Sequence, residues 1–351
     1  MSRPLVIPHS RPSLGEAEAQ AAAEVIRAGR IAQGEKVAEF EHVLAKMTGQ
    51  DQGVAVSSGT AALLLALKGL GIGAGDEVVF PSYVCTALWH AVTQAGATPV
   101  LVDIDPETYH PSPCAVARAI TRHTKAVIVP HLFGLPADLS EVEKLGVPII
   151  EDCAQTLGTT VRGRPVGSAG ELTVCSFYAT KLLTTGEGGM VLGRSERCMA
   201  RIRTLRQYDE PDALEPAFNY KMTELQGALG LCQIRALTQF IQRRQAIAAQ
   251  YAAALRDLKA DPPAVLPEHD HVYYRYVVRL SQSVEPAIKA FAECGITCRR
   301  PVFKPIHQYV CLRGFPGTDL AWERSLSIPI YPTLTDHEVE RIVDAMREVL
   351  A

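Results

Sequence analysis

Cys175-Ser176-Phe177-Tyr178-Ala179-Thr180-Lys181-Leu182-Leu183-Thr184-Thr185-Gly186-Glu187-Gly188-Gly189-Met190 joins an apolar run to a glycine cluster and carries a single lysine, Lys181, five residues after Ser176. Upstream, Val147-Pro148-Ile149-Ile150 is closed by the acidic pair Glu151-Asp152. A pyridine cofactor that acts as an electron sink needs an amine to hold its aldehyde, a carboxylate against its ring nitrogen and donors around its phosphate. Each of these is within the reach of the segments just quoted and the one that follows.

The third requirement is met at Val56-Ser57-Ser58-Gly59-Thr60-Ala61-Ala62-Leu63, where small residues lead from a strand-like run into a helical one. A helix start of this kind offers unpaired N–H groups and the positive end of the macrodipole to a phosphate. An ordinary Ser or Thr cap is the plain alternative. Asp152 closes a strand-like run, and the carboxyl ends of strands are where ligands collect in open α/β sheets; a solvated strand-end acid is its plain alternative. Lys181 sits in the uncharged stretch 176–185. An ε-amine must be neutral to attack an aldehyde, and apolar surroundings favour the neutral form.

Around these segments, short apolar runs at 53–56, 77–80, 99–102, 126–129, 147–150, 172–176 and 190–192 alternate with helical patterns at 60–70, 87–95, 113–120 and 138–145. Strands separated by helices predict an α/β fold with a mainly parallel seven-stranded sheet covered on both faces. Beyond residue 195 come an Arg-rich helix at 196–206 and a long helical pattern from 223 to about 258 that could bridge two domains. A strand at 273–280, a helix at 284–293, a strand at 297–300 and a closing helix at 336–350 capped by Thr335 then predict a small α+β unit. The expected division is a large domain over 1–240, with its N-terminal segment packing on the small one, and a small domain over 241–351.

The 351 residues, 47% apolar, suffice for a substantial core, and a formal charge of -3 supplies no field to attract nucleic acid or an acidic membrane. A small-molecule substrate is the expectation. Residues 1–8 lack the apolar core of a signal peptide, and no run reaches the roughly 18 apolar residues of a membrane span. Nine scattered cysteines without a CxxC pair favour neither a disulfide framework nor a zinc site, so a cytoplasmic protein without a metal is expected.

Taken together, Ser57-Ser58-Gly59-Thr60-Ala61-Ala62-Leu63, Glu151-Asp152-Cys153-Ala154-Gln155, Ser176-Phe177 to Lys181, Gly186-Glu187-Gly188-Gly189 and Asn219-Tyr220-Lys221-Met222 resemble the DegT/DnrJ/EryC1/StrS family of pyridoxal-phosphate-dependent sugar aminotransferases. The resemblance runs from Arg11-Pro12-Ser13-Leu14 through His131-Leu132-Phe133-Gly134 to Pro329-Ile330-Tyr331-Pro332-Thr333-Leu334-Thr335. It implies a fold-type I homodimer with shared active sites. Lys181 would bind the pyridoxal 5'-phosphate aldehyde and move protons, Asp152 would pair with the ring nitrogen, and Gln155 would lie near the ring and its phenolic oxygen. Ser58, Gly59, Thr60 and Ser176 would hold the phosphate, joined by Asn219 of the partner subunit.

The chain departs from the family pattern in places. Cys85 stands where an aromatic side chain often stacks on the ring; Tyr83 or Trp89 could serve instead, or could be core aromatics. Lys221 replaces a common arginine and loses its planar grip on an oxyanion. The stretch Arg206-Gln207-Tyr208-Asp209-Glu210 lacks an expected His-Gly pair. Arg299, Arg300, Lys304 and His307 form a basic cluster suited to a diphosphate or carboxylate, and a solvated basic edge is equally compatible with charge alone. Tyr83, Lys221, Lys304 and His307 are therefore the expected substrate residues.

The implied reaction moves an amino group from an amino acid, glutamate being the expected donor, to a keto-sugar, expected to be nucleotide-linked. A cyclitol-ketone aminotransferase shares the same motifs. A sugar dehydratase of this family typically carries histidine in place of the lysine, and a regulatory relative would need a DNA-binding element that the sequence does not display.

Overall fold

The computed structural model describes residues 6–209, 214 and 216–351. Two helices, α1 (Glu16–Ala28) and α2 (Glu35–Thr48), precede an alternation of β1 (Gln52–Val56), α3 (Gly59–Gly69), β2 (Glu77–Pro81), α4 (Ala87–Gln94), β3 (Thr98–Val102), α5 (Pro113–Ala119), β4 (Thr124–Pro130), α6 (Ser140–Glu143) and β5 (Ile149–Asp152). A short hairpin, β6 (Thr160–Val161) with β7 (Arg164–Pro165), leads to β8 (Leu172–Ser176), β9 (Gly189–Gly193), α7 (Glu196–Arg206) and the 32-residue α8 (Glu224–Leu255). The remainder is β10 (Ala260–Asp261), β11 (Tyr276–Leu280), α9 (Glu285–Glu293), α10 (Ile306–Tyr309), α11 (Pro316–Arg324), β12 (Ser325–Ile328) and α12 (Asp336–Val349).

Seven strands form one sheet in the order β1-β9-β8-β5-β4-β2-β3, and only β9 runs against the others. The strands read as unbroken apolar runs because helices cover both faces. α3 is buried along almost its whole length, from Ala61 to Leu67, and packs with α4 and α7 on one face. α2 and the first half of α8 cover the other through Phe40, Leu44, Leu231 and Leu237.

A second hydrophobic cluster lies around the antiparallel sheet β10-β11-β12. Ile247, Ala248, Tyr251 and Leu255, in the second half of α8, belong to it together with Phe291 and Ile342. Ile7 joins it too, exchanging backbone hydrogen bonds with Gly295 and Thr297. α8 therefore feeds both clusters. Among the described residues, no helix is long and apolar enough to cross a membrane.

Several local expectations shift. The strand expected at 297–300 is only a bridge between Arg299 and Ser327, and the strand expected from 273 begins at Tyr276 because Tyr273 adopts a left-handed φ of 48°. β12 and the helices α10 and α11 occupy what the sequence presented as loop.

Candidate active site

The parallel sheet gathers the ends of its strands at one edge, and the site assembles there. Asp152 ends β5 in register with Val174 of β8. Ser176 ends β8 opposite Gly189, which also pairs with Val56 of β1. Ser58 caps α3, its Oγ accepting the Ala61 N–H at 3.1 Å, which leaves the Gly59 and Thr60 N–H groups without partners inside the helix. A side chain at Gly59 would place its Cβ 2.7 Å from Ser176 Cβ and 2.9 Å from Ser176 Oγ, so the helix start and the serine hydroxyl share one narrow cradle.

The loop from Phe177 to Gly188 is closed by hydrogen bonds from Phe177 N to Gly188 O (2.8 Å) and from Thr185 N to Phe177 O (3.0 Å). Gly188 has a φ of 159°, and a Cβ there would lie 2.5 Å from Thr185 Oγ1. Within this loop the Lys181 N–H donates to Tyr178 O at 2.8 Å. Lys181 thus sits on a short, internally bonded arch next to the end of β8.

Ser58, Gly59, Thr60, Cys85, Asp152, Ser176 and Lys181 line one cavity of ≈ 220 Å³, with Tyr178 and Glu187 as further walls that the sequence reading did not single out. Burial pushes the Asp152 carboxyl up, against the opposing pull of the Ala154 N–H, Lys181 and His131. A protonated ring nitrogen against this carboxylate would supply the counter-charge that burial calls for. Cys85 is open to the cavity while enclosed by protein; that desolvation raises its thiol, with Lys181 pulling it down and Asp152 pushing it up. Lysine, carboxylate and a helix-start cradle on one cavity fit pyridoxal phosphate.

Other expected residues lie elsewhere. Gln155 is outside the cavity wall, its Oε1 accepting the Phe133 N–H at 2.8 Å. Asn219 is exposed on a segment tied to the end of β1 by Ser57 N donating to Tyr220 O (2.8 Å) and by a Val56–Lys221 bridge. Lys221 pairs with Asp209, and Lys304 lies over the Tyr309 ring, 4.5 Å from its centroid.

Tyr83 and His307 differ from expectation. Tyr83 is fully buried, packed on Tyr109 and Phe133 with its OH toward Ala321 O, because the loop after β2 turns it into the core while Cys85 takes the cavity side. His307 is 3% exposed, bonded to Ser82 Oγ (2.8 Å) and Asp319 Oδ1 (3.0 Å) and stacked on Phe315. It joins α10 to the loop that carries Cys85 and has no free nitrogen for substrate. Of the expected basic cluster, Arg300 is held by Glu285 and the Trp322 ring, which leaves Arg299 exposed and Lys304 half-buried.

One neighbour of the site escaped the sequence reading. Tyr274 presents its ring to Lys181, whose Nζ lies 5.4 Å from the centroid. Burial alone would raise this phenol, but Lys181, Arg275, a hydrogen bond with Thr180 and Arg244 bring it down to about 8. The run Tyr273-Tyr274-Arg275-Tyr276 was the available signal. Behind the sheet edge, Glu151 accepts N–H groups from Gly167 (2.9 Å), Ala169 (2.6 Å) and Gly170 (2.5 Å) and the His131 Nε2 proton (3.1 Å). His131 Nδ1 accepts from Ala137 N, which assigns the Nε2–H tautomer. The cluster of His131, Glu151 and Cys153 is close enough for a metal, but those bonds already engage its nitrogen and oxygen donors.

Residues 12–347 match the model of the DegT/DnrJ/EryC1/StrS aminotransferase family. Among solved structures, the aminotransferase TlmJ from Streptoalloteichus hindustanus is 33% identical, with a TM-score of 0.93 over 97% of this chain and 98% of that one. DesV from S. venezuelae is 34% identical, with a TM-score of 0.89 over 94% and 93% of the two chains. Spr1654 from Streptococcus pneumoniae, described as a sugar aminotransferase and solved in apo, PLP and PMP forms, is 29% identical in the apo form, with a TM-score of 0.93 over 98% and 97%. The chain belongs to the DegT/DnrJ/EryC1/StrS aminotransferase family.

Proposed function

We propose that this pyridoxal-phosphate-dependent sugar aminotransferase takes its amino group from an amino acid, glutamate by preference, and delivers it to a nucleotide-linked keto-sugar in deoxyamino-sugar biosynthesis. The observation that carries the reading is the convergence of Lys181, Asp152 and the α3 start on one cavity of ≈ 220 Å³. When bound, the cofactor supplies an aldehyde that carries nitrogen and a ring that withdraws electrons from the substrate carbon. Lys181 Nζ would hold the aldehyde and, as a neutral amine, would move a proton to and from the substrate carbon. Asp152 keeps the ring nitrogen protonated. The Gly59 and Thr60 N–H groups with the Ser58 and Ser176 hydroxyls would hold the phosphate; Gln155 stands outside that wall with its Oε1 on the Phe133 N–H, so only its amide NH2 group would be available to the phenolic oxygen.

Cys85 takes the ring-face position with a side chain smaller than an aromatic. The homodimer completes each site with Asn219 of the partner subunit; exposure of Asn219 in the single chain supports this. The cations proposed to meet a diphosphate are Arg299, which is exposed, Lys304, which is half-buried, and Lys221, which would first have to leave Asp209. All nine cysteines are free thiols, which suits the cytoplasm.

The test is spectroscopic. Purified protein is yellow, its band shifts when glutamate is added, and the original band returns on adding the correct keto-sugar from a panel of nucleotide-linked sugars and cyclitol ketones. Return with a cyclitol ketone alone overturns the sugar assignment, and a colourless protein that takes up no pyridoxal phosphate overturns the whole reading. Sedimentation as a monomer at working concentration overturns the shared site.

A further inference from the structure

A smaller cavity of ≈ 20 Å³ shares Thr180 and Tyr274 with the surroundings of Lys181 and is walled by His9, Arg244, Arg275 and Tyr331. Arg244 uses Nη1 on the carbonyls of Tyr273 (3.1 Å), Tyr274 (3.2 Å) and Ile330 (2.8 Å), and Arg275 reaches the His9 ring at 3.1 Å. Among the described residues, neither guanidinium has a carboxylate partner. Two of the lining residues also carry a sealed polar atom without a hydrogen-bond partner, Arg244 Nε and Tyr331 OH, with Arg244 4% and Tyr331 1% exposed. Enclosed positive charge of this kind is unfavourable unless an anion faces it. The space corresponds to about one water-sized centre, too small for a phosphate group.

We propose that this cavity binds one small monovalent anion, a halide or a single carboxylate group, between Arg244 and Arg275. The charged and titratable groups around it are Lys181 beyond Tyr274, Arg244 on α8, Arg275 beside Tyr274, His9 and Arg11 on the N-terminal segment, and the phenols of Tyr274 and Tyr331. Arg11 is paired with Glu338. His9 is neutral, since burial, Arg275 and Arg299 push it down to about 3. The Tyr274 phenol, which burial would raise but the free Lys181 ammonium, Arg275, a Thr180 hydrogen bond and Arg244 bring down to about 8, is the internal competitor: phenolate and bound anion draw on the same two guanidiniums. Anion affinity therefore falls by up to about tenfold per pH unit above that point.

Bromide is the probe, used on the purified holoenzyme. Crystals grown in bromide show an anomalous peak between the two guanidiniums, and the thermal midpoint rises saturably with bromide at constant ionic strength. Tyr274→Phe removes the loss of affinity above pH 8, and Arg275→Met weakens bromide binding by about tenfold or more, as expected for one charge-assisted hydrogen bond. The Arg244 position is left intact because its three carbonyl bonds hold the fold. Displacement of bromide by glutamate identifies a substrate carboxylate as the natural occupant; failure to displace it identifies a free halide. Water alone in the cavity, or a bromide response unchanged by Arg275→Met, overturns the site. None of these readouts depends on amino transfer, so they stand apart from the substrate assignment.

Discussion

Gly59→Ala isolates the phosphate cradle from the rest of the site. The added Cβ lies 2.7 Å from Ser176 Cβ and 2.9 Å from Ser176 Oγ. Carbon atoms rest at about 3.5–4.0 Å, so α3 and the end of β8 must separate by about 1 Å. Overpacking of this size destabilises by roughly 1–3 kcal/mol. More tellingly, it parts the α3 N–H groups from the Ser176 hydroxyl, which must act together on one phosphate. Loss of one charge-assisted hydrogen bond, about 1.5–3 kcal/mol, weakens pyridoxal phosphate binding by about 10- to 150-fold. Equilibrium dialysis of the apoprotein against pyridoxal phosphate measures this directly. Pyridoxal, which lacks the phosphate, is the control, because it does not use the displaced donors. Equal losses for both ligands would refute the cradle and point to general disruption; unchanged affinity for both would show that the phosphate lies elsewhere.

Lys181→Ala removes the amine that holds the aldehyde, so borohydride no longer fixes the cofactor to the chain and amino transfer falls by at least about 10²–10⁴-fold, as for loss of a proton-transfer group; covalent trapping at an unchanged peptide would assign the role to another lysine. Asp152→Asn should stabilise the apoprotein at neutral pH while abolishing turnover. The sign follows from the raised carboxyl: the folded chain binds that proton more tightly than the unfolded chain, so wild-type stability declines as pH rises from the ordinary carboxylate range toward the raised value. Denaturant melts of apo wild type and variant should converge in acid and separate at neutral pH, and the opposite order would contradict a buried carboxylate. Glu151→Gln should lower stability by about 1.5–3 kcal/mol at pH 7. Burial tends to raise this carboxyl, but the His131 hydrogen bond and the Gly170 and Gly167 N–H groups depress it. Its contribution is present above the unfolded value and is lost as pH falls through the depressed one, so the difference should shrink in acid melts.

The edge of the sheet was legible because its signals are local. Buried parallel strands read as unbroken apolar runs, and the residues that end them, Asp152 and Ser176, stand at one edge together with the α3 start at Ser58, Gly59 and Thr60. Lys181 follows from the same logic, since its arch is closed by residues within the quoted stretch. Long-range partners were not legible. His307 lies in a basic run and resembles a surface cation, yet Ser82, 225 residues away in the chain, captures one ring nitrogen and Asp319 the other. Ser82 in turn holds the loop after β2, accepting the His307 N–H while its carbonyl accepts from Ile306 N. That attachment fixes which side of the loop faces inward, and so decides between Tyr83 and Cys85. Local alternation could not make this choice, because Tyr83 is two residues from Cys85 and a regular strand would send both the same way. The loop leaves strand geometry at Pro81, so Tyr83 goes to the aromatic cluster with Tyr109 and Phe133 and Cys85 to the cavity. The small side chain on the cavity wall is therefore set by a histidine of α10 acting through a serine. His307→Ala should change cofactor absorbance and Cys85 alkylation together, whereas a purely structural role for His307 would move the melting temperature and neither of these.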